Sequence, residues 1–219
     1  MVLGVNRELS LYERVVAASR ELFLEKGYFP TNTREIATKA GTSESGIFRL
    51  FPSKFALLVA VYNSCWKEVN ERVERSISGI ADPRDRVMAV VRSFWELYED
   101  NPSMMAFVIS TFGSADSLLI SRQDRAIVTD EARLHAERVA TLCTAVVQQG
   151  TIDRRITAAA LREYVFSIAQ GILVGWYLAD RTPGRRSAKV GIEEALLPLS
   201  LLLYPEKRTP SPPVASKAK

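Results

Sequence analysis

Apolar residues recur along this chain at the three-to-four-residue spacing of amphipathic helices, and no stretch shows the strict alternation of a strand. The pattern predicts an all-α protein. Leu11, Val15, Ala18, Leu22 and Phe23 form the inward stripe of a first helix, opened by Ser10 with Glu13 three residues on and closed by Gly27. Ile36, Ala37 and Ala40 give a short second stripe, for which Asn32 and Glu35 supply the same reciprocal cap. Gly41 follows directly, free to take the left-handed backbone that ends a helix and turns the chain. Ser43 caps a third helix of about two turns, with Ile47, Leu50 and Phe51 directed at the first helix and Pro52 disfavouring helical geometry at Phe51.

Behind a Ser53 cap the stripe lengthens. Leu57, Leu58, Val61, Tyr62, Cys65, Val69 and Val73 line one side of a helix from Lys54 to Ser78, ended by Gly79. Asp82-Pro83 and Asn101-Pro102 each read as helix starts, with proline at the favoured first position. The second of these helices runs to Thr111, residues 113–116 are a break, and 117–149 read as one long helix closed by Gly150. Thr157 opens a further helix to Asp180, a polar loop follows from Arg181 to Arg186, and Ser187 to Tyr204 makes the last helix, bent or split at Pro198. After Pro205 the apolar content is too low to pack. The chain therefore divides into a three-helix unit, 1–53, a larger helical domain, 54–205, and a disordered basic tail, 206–219.

Two short capped helices joined by a glycine turn are the layout that sets a recognition helix in a major groove, its N-terminal residues nearest the base edges. The exposed face of that helix would be Ser43, Glu44, Ser45, Gly46 and Arg49. Spacing alone fits a plain helical hairpin equally well.

More specific are the pieces Ala17-Ala18-Ser19-Arg20-Glu21-Leu22-Phe23-Leu24-Glu25-Lys26-Gly27-Tyr28, Thr31-Asn32-Thr33-Arg34-Glu35-Ile36-Ala37, Ala40-Gly41-Thr42-Ser43 and Ile47-Phe48-Arg49-Leu50-Phe51-Pro52-Ser53-Lys54. In this order and spacing they resemble the N-terminal domain of the TetR family. The resemblance covers roughly the first quarter of the chain and implies a homodimeric, ligand-responsive transcriptional regulator, usually a repressor, on double-stranded operator DNA. It also implies phosphate contacts from Thr31 with Asn32, from position 48 and from Lys54, which together with Thr33 and the recognition face complete the candidate DNA-binding set. The chain departs from the family where Phe48 replaces the usual tyrosine, Leu50 a common histidine and Thr42 an apolar turn residue. Glu44 brings a negative charge to the DNA side unless it accepts a hydrogen bond from a cytosine amino group.

The larger domain offers two further surfaces. Its last helix is apolar on more than one side and the helix before it carries small residues, so a symmetric four-helix interface through Ile168, Gly171, Ile172, Gly175, Trp176, Leu196, Leu199 and Leu203 is expected, against the alternative of an intrachain core. Trp66, Phe94, Trp95, Tyr98, Met104, Met105, Phe107, Phe112, Tyr164 and Phe166 lie on helices that the resemblance places around an effector cavity; as a set they favour a small apolar or aromatic effector over a sugar or nucleotide. Any one of them fits an ordinary core as well.

Composition narrows the alternatives. With 219 residues, 47% of them hydrophobic, the chain has material for a core without staples, and Cys65 and Cys143, far apart in helical contexts, suit buried thiols in a reducing compartment. No secretory signal and no apolar run of about 18 residues occurs, so a cytoplasmic protein with no membrane partner is expected. Residues 1–55 hold eight Lys or Arg against six Glu, and the last fourteen residues are also basic, too small an excess to indicate DNA by itself. The single histidine, His135, has no triad or metal-ligand spacing around it and no phosphate loop occurs, which argues against an enzyme, a metal or a cofactor. The remaining rival is a helical small-molecule-binding or scaffold dimer without specific DNA binding.

Overall fold

The computed structural model describes residues 9–112, 130–181 and 191–207. Among these are nine α-helices and no strand: α1 Leu11–Lys26, α2 Thr33–Ala40, α3 Glu44–Leu50, α4 Lys54–Ile77, α5 Pro83–Asp100, α6 Pro102–Phe112, α7 Asp130–Gln148, α8 Ala158–Arg181 and α9 Ile192–Leu203, followed by a 3-10 turn, Pro205–Lys207. No single helix among them is long and apolar enough to cross a membrane. The expected break at 113–116, the first half of the helix expected from 117, most of the 181–186 loop and the tail from 208 lie outside the described residues.

The start signals act as their chemistry requires. Ser10 and Glu13 make a reciprocal cap on α1, Asn32 and Glu35 on α2. The Ser53 hydroxyl accepts from the Ala56 amide at 3.1 Å, Asn101 Oδ1 from Met104 at 3.0 Å and Thr157 Oγ1 from Ala160 at 3.1 Å. Each occupies an amide that the first helical turn leaves without a partner. The last helix is described from Ile192, behind Gly191 with no side-chain cap; its expected start at Ser187 lies outside the described residues.

The chain packs as two compact units, residues 1–74 with 96–136 and residues 75–95 with 137–219. In the first, Val15, Phe23, Ile36, Ile47, Leu57, Leu58, Val61, Met104 and Met105 form the core. Arg20 of α1 reaches Glu68 of α4 at 2.5 Å and the Met104 sulfur of α6 at 3.0 Å, while buried Asn70 donates to the Glu131 carbonyl at 2.8 Å. In the second, Val87, Val91, Val139, Leu142, Leu161, Val165, Leu173, Leu196, Leu199 and Leu203 are buried. Arg84 pairs with Asp82 at 2.8 Å and with Glu206 at 3.0 Å and lies 4.6 Å over the Tyr204 ring, so Glu206, placed by sequence in the tail, is part of the packed unit. Cys65 and Cys143 are buried free thiols, each pushed up to about 11 by desolvation.

Candidate nucleic-acid interface

The angle between α2 and α3 is made by one glycine. Gly41 sits at φ 66°, ψ 45°, where a side chain would be strained, and the next amide, that of Thr42, donates back to the Ala37 carbonyl at 2.9 Å. Ser43 then caps α3, its hydroxyl accepting from Gly46 at 3.1 Å and lying 2.8 Å from the Ser45 hydroxyl. Of the seven residues of α3 only Ile47 is buried; Ser45, Phe48, Arg49 and Leu50 are exposed, and Glu44 and Gly46 half-buried. Phe51, one turn after Ile47, takes the next inward place and stacks on Tyr12 at 5.1 Å. That displaces Leu50, which was expected to pack on α1; falling three residues after Ile47, it lies on the flank of the inward line and is exposed.

Glu44 does not project as a free carboxylate. It accepts from Thr33 Oγ1 at 2.5 Å and lies 3.5 Å from Arg34 Nε, so it braces α3 against α2 and its charge is met within the head. Gly46 has a steric reason: a Cβ there would stand 2.5 Å from Thr42 Oγ1. The polar turn residue and the glycine therefore fit each other. Thr31 is placed differently from the expectation of a phosphate contact, since its hydroxyl is buried and donates to the Gly27 carbonyl at 2.8 Å. Asn32 is exposed, with its side chain engaged in the cap. Phe48 and Arg49 are exposed, Phe48 by 46%.

Charge is sorted more sharply than the net count suggests. Lys26 is paired with Glu35 at 2.5 Å, Arg20 with Glu68, Arg34 with Glu44, and Lys39 with Glu21. The Asn32 amide and Lys26 hold the Glu35 carboxyl below its ordinary range. Among the described residues of the head only Arg14, Arg49 and Lys54 have no carboxylate partner, and Arg14 is spent on the Ala40 and Leu9 carbonyls at 3.2 and 3.1 Å. Arg49, on the open side of α3, and Lys54, first residue of α4, remain for an anion.

The effector candidates are distributed over both units. Trp66, Tyr98, Met104, Met105 and Phe107 belong to the first unit, with Tyr98 and both methionines in its core; Phe94, Trp95, Tyr164 and Phe166 belong to the second, and the Phe112 side chain lies outside the described ones. Among the described residues Phe94 and Trp95 line a small, partly open recess together with Val91, Ala169, Ile172, Leu173 and Ile192. Sequence reasoning missed four of these and gave Ile172 to the dimer interface; the signal available was the shared helical spacing of 91, 94 and 95 and of 169, 172 and 173.

The expected interface residues need a similar correction. Trp176, Leu196, Leu199 and Leu203 are buried within a single chain, with 196, 199 and 203 on one stripe of α9. The opposite side of α9 carries Leu197, 52% exposed, and Leu201, 37% exposed. On α8, Gly171, Val174 and Gly175 are exposed, and Ile168 is half-buried.

Comparison with known proteins agrees with this geometry. The family model for bacterial regulatory proteins, tetR family, matches residues 15–61. The fatty acid metabolism regulator protein of Bacillus subtilis is 19% identical over 170 residues, 78% of this chain and 85% of that protein. The solved transcriptional regulator FadR from Bacillus subtilis, in complex with stearoyl-CoA, superposes with a TM-score of 0.69 at 18% identity, covering 88% of this chain and 97% of that one. AibR, solved with isovaleryl coenzyme A and operator DNA, gives a TM-score of 0.62 at 20% identity, covering 89% and 98%. The capped helix pair and its glycine turn lie inside the stretch that matches the tetR-family model, so residues 15–61 carry that family's N-terminal helix-turn-helix domain, and the rest of the described chain shares the fold of these solved regulators.

Proposed function

We propose that this regulator is a homodimeric, ligand-responsive repressor that binds an inverted-repeat operator and is released from it by an apolar, acyl-type effector. The observation that carries the DNA half is α3, where a single residue of seven is buried and an arginine without a carboxylate partner faces outward. A recognition helix needs that openness, and the phosphates need cations that the protein has not already neutralised. Two copies are supported by the leucines that α9 turns to solvent beside the open small-residue face of α8. In a two-fold dimer the two heads read the same bases in opposite sense, hence the inverted repeat.

The effector half rests on the apolar lining of the cavity at Phe94 and Trp95, and on the acyl-CoA thioesters held by the two solved neighbours. An effector that prefers the state unable to span successive grooves lowers operator occupancy, and operator DNA weakens the effector by the same factor. Residues 1–53 would read DNA and 54–205 sense and dimerise. Selection from a random duplex pool followed by fluorescence anisotropy tests this: an enriched inverted repeat is expected, released by at least one member of an acyl-CoA chain-length series. No enriched site would refute the regulator's operator, and release by no thioester would refute the effector class.

A further inference from the structure

We propose that Tyr28 is a positioning residue for DNA binding, holding the Lys54 ammonium over its ring so that the cation meets a phosphate with its side chain already ordered. The inference rests on the reading of Lys54 as a phosphate contact. The Lys54 Nζ lies 4.3 Å from the Tyr28 ring centroid and 3.3 Å from the Phe29 carbonyl oxygen, to which it donates. The ring is itself fixed: buried Phe23 meets it edge-on at 5.3 Å and Phe29 at 5.5 Å, with Phe29 standing 66% exposed as the outer wall.

The cradle differs from what holds the neighbouring lysines. Lys26 and Lys39 are fixed by carboxylates, which cancel the charge they order. Lys54 makes no ion pair among the described residues, and its two partners, a ring face and a carbonyl, are neutral. An electron-rich ring attracts an ammonium most strongly where water is partly excluded, and Lys54 is half-buried. Burial is also the largest influence on its pKa, which it lowers, and Glu35 opposes that from a distance. A lysine stem is otherwise a flexible tether that loses rotamer freedom when it grips an anion. The cradle removes that loss before DNA arrives and leaves the whole positive charge to be used.

The test uses the full chain and a duplex enriched from a random pool, with Tyr28→Leu and Tyr28→Phe each made in the natural and the Lys54→Ala background. Tyr28→Leu is expected to weaken binding about fivefold and Tyr28→Phe less than about twofold, since phenylalanine keeps the ring face. In the Lys54→Ala background Tyr28→Leu is expected to change nothing. Equal weakening in both backgrounds would make the ring a structural prop and overturn the proposal. Lys54→Ala with normal affinity and salt slope would sink the phosphate reading and this inference together, whereas a normal Lys54→Ala defect without coupling sinks this inference alone. Nuclear magnetic resonance of the unaltered protein needs no variant: the Lys54 Hε protons should show an upfield ring-current shift, and its absence would overturn the cradle directly.

Discussion

The reading head and the α8–α9 pair are both helical and both rich in apolar residues, yet their faces are set by different physics. In the head, each helix has its N-terminal end fixed by a side chain three residues away in sequence, Ser10 with Glu13, Asn32 with Glu35 and Ser43 with Gly46. Little freedom is left to decide which residue points inward. In α9, leucine occupies positions 196, 197, 199, 201, 202 and 203, and the helix has no side-chain cap. There the inward face is selected by whatever lies against it, so one stripe disappears into the unit and its neighbour stays outside.

The widest contrast comes from a pair of leucines two residues apart. Leu199→Ala should remove about 2–5 kcal/mol of stability, read by chemical denaturation, because the side chain is fully buried. Leu197→Glu should leave the circular dichroism spectrum unchanged and shift sedimentation toward monomer. If Leu197→Glu also unfolds the protein, the two faces of α9 are not distinct and the comparison fails.

Inside the head the largest effect should come from Gly46→Ala, which forces a methyl against Thr42 Oγ1 and should destabilise the turn by about 1–2 kcal/mol. Adding Thr42→Ala should restore most of that loss in melting experiments. A loss that persists in the double variant would show that the Thr42 hydroxyl is not what excludes a side chain at Gly46. Asn32→Ala comes next, costing about 1 kcal/mol through the lost cap, with faster amide exchange confined to α2. Smallest is the response to acid. The Asn32 amide and Lys26 hold the folded Glu35 carboxyl below the ordinary glutamate range, so its contribution is present above that range and is lost as pH falls through the lower folded value. A carboxyl chemical-shift titration with a midpoint no lower than that of an unstructured glutamate would contradict the cap and the Lys26 pairing.

Much of the head was readable from residues alone because its information is local: the caps, the Gly41 turn, the inward Ile36 and Ile47, and the family resemblance that the comparisons bear out. Leu50 was misplaced because, three residues after Ile47, it falls on the flank of the inward line, while Phe51, one turn after Ile47, is buried and stacks on Tyr12. Glu44 looked like an unfavourable charge because nothing in the spacing reveals that Thr33 and Arg34 receive it. The cavity was harder still. Its lining comes from three separated helices, and an aromatic residue that lines space is indistinguishable in sequence from Tyr98 or Met104, which fill it.

Internal neutralisation of the head also bears on how the protein moves through a genome. Lys26, Arg34 and Lys39 are already matched to carboxylates, so a copy sitting on arbitrary sequence displaces few condensed counterions and is held there only loosely. Under the proposed function, residence on wrong sites would be brief, and discrimination would fall to the contacts that Arg49 and its neighbours make with the bases.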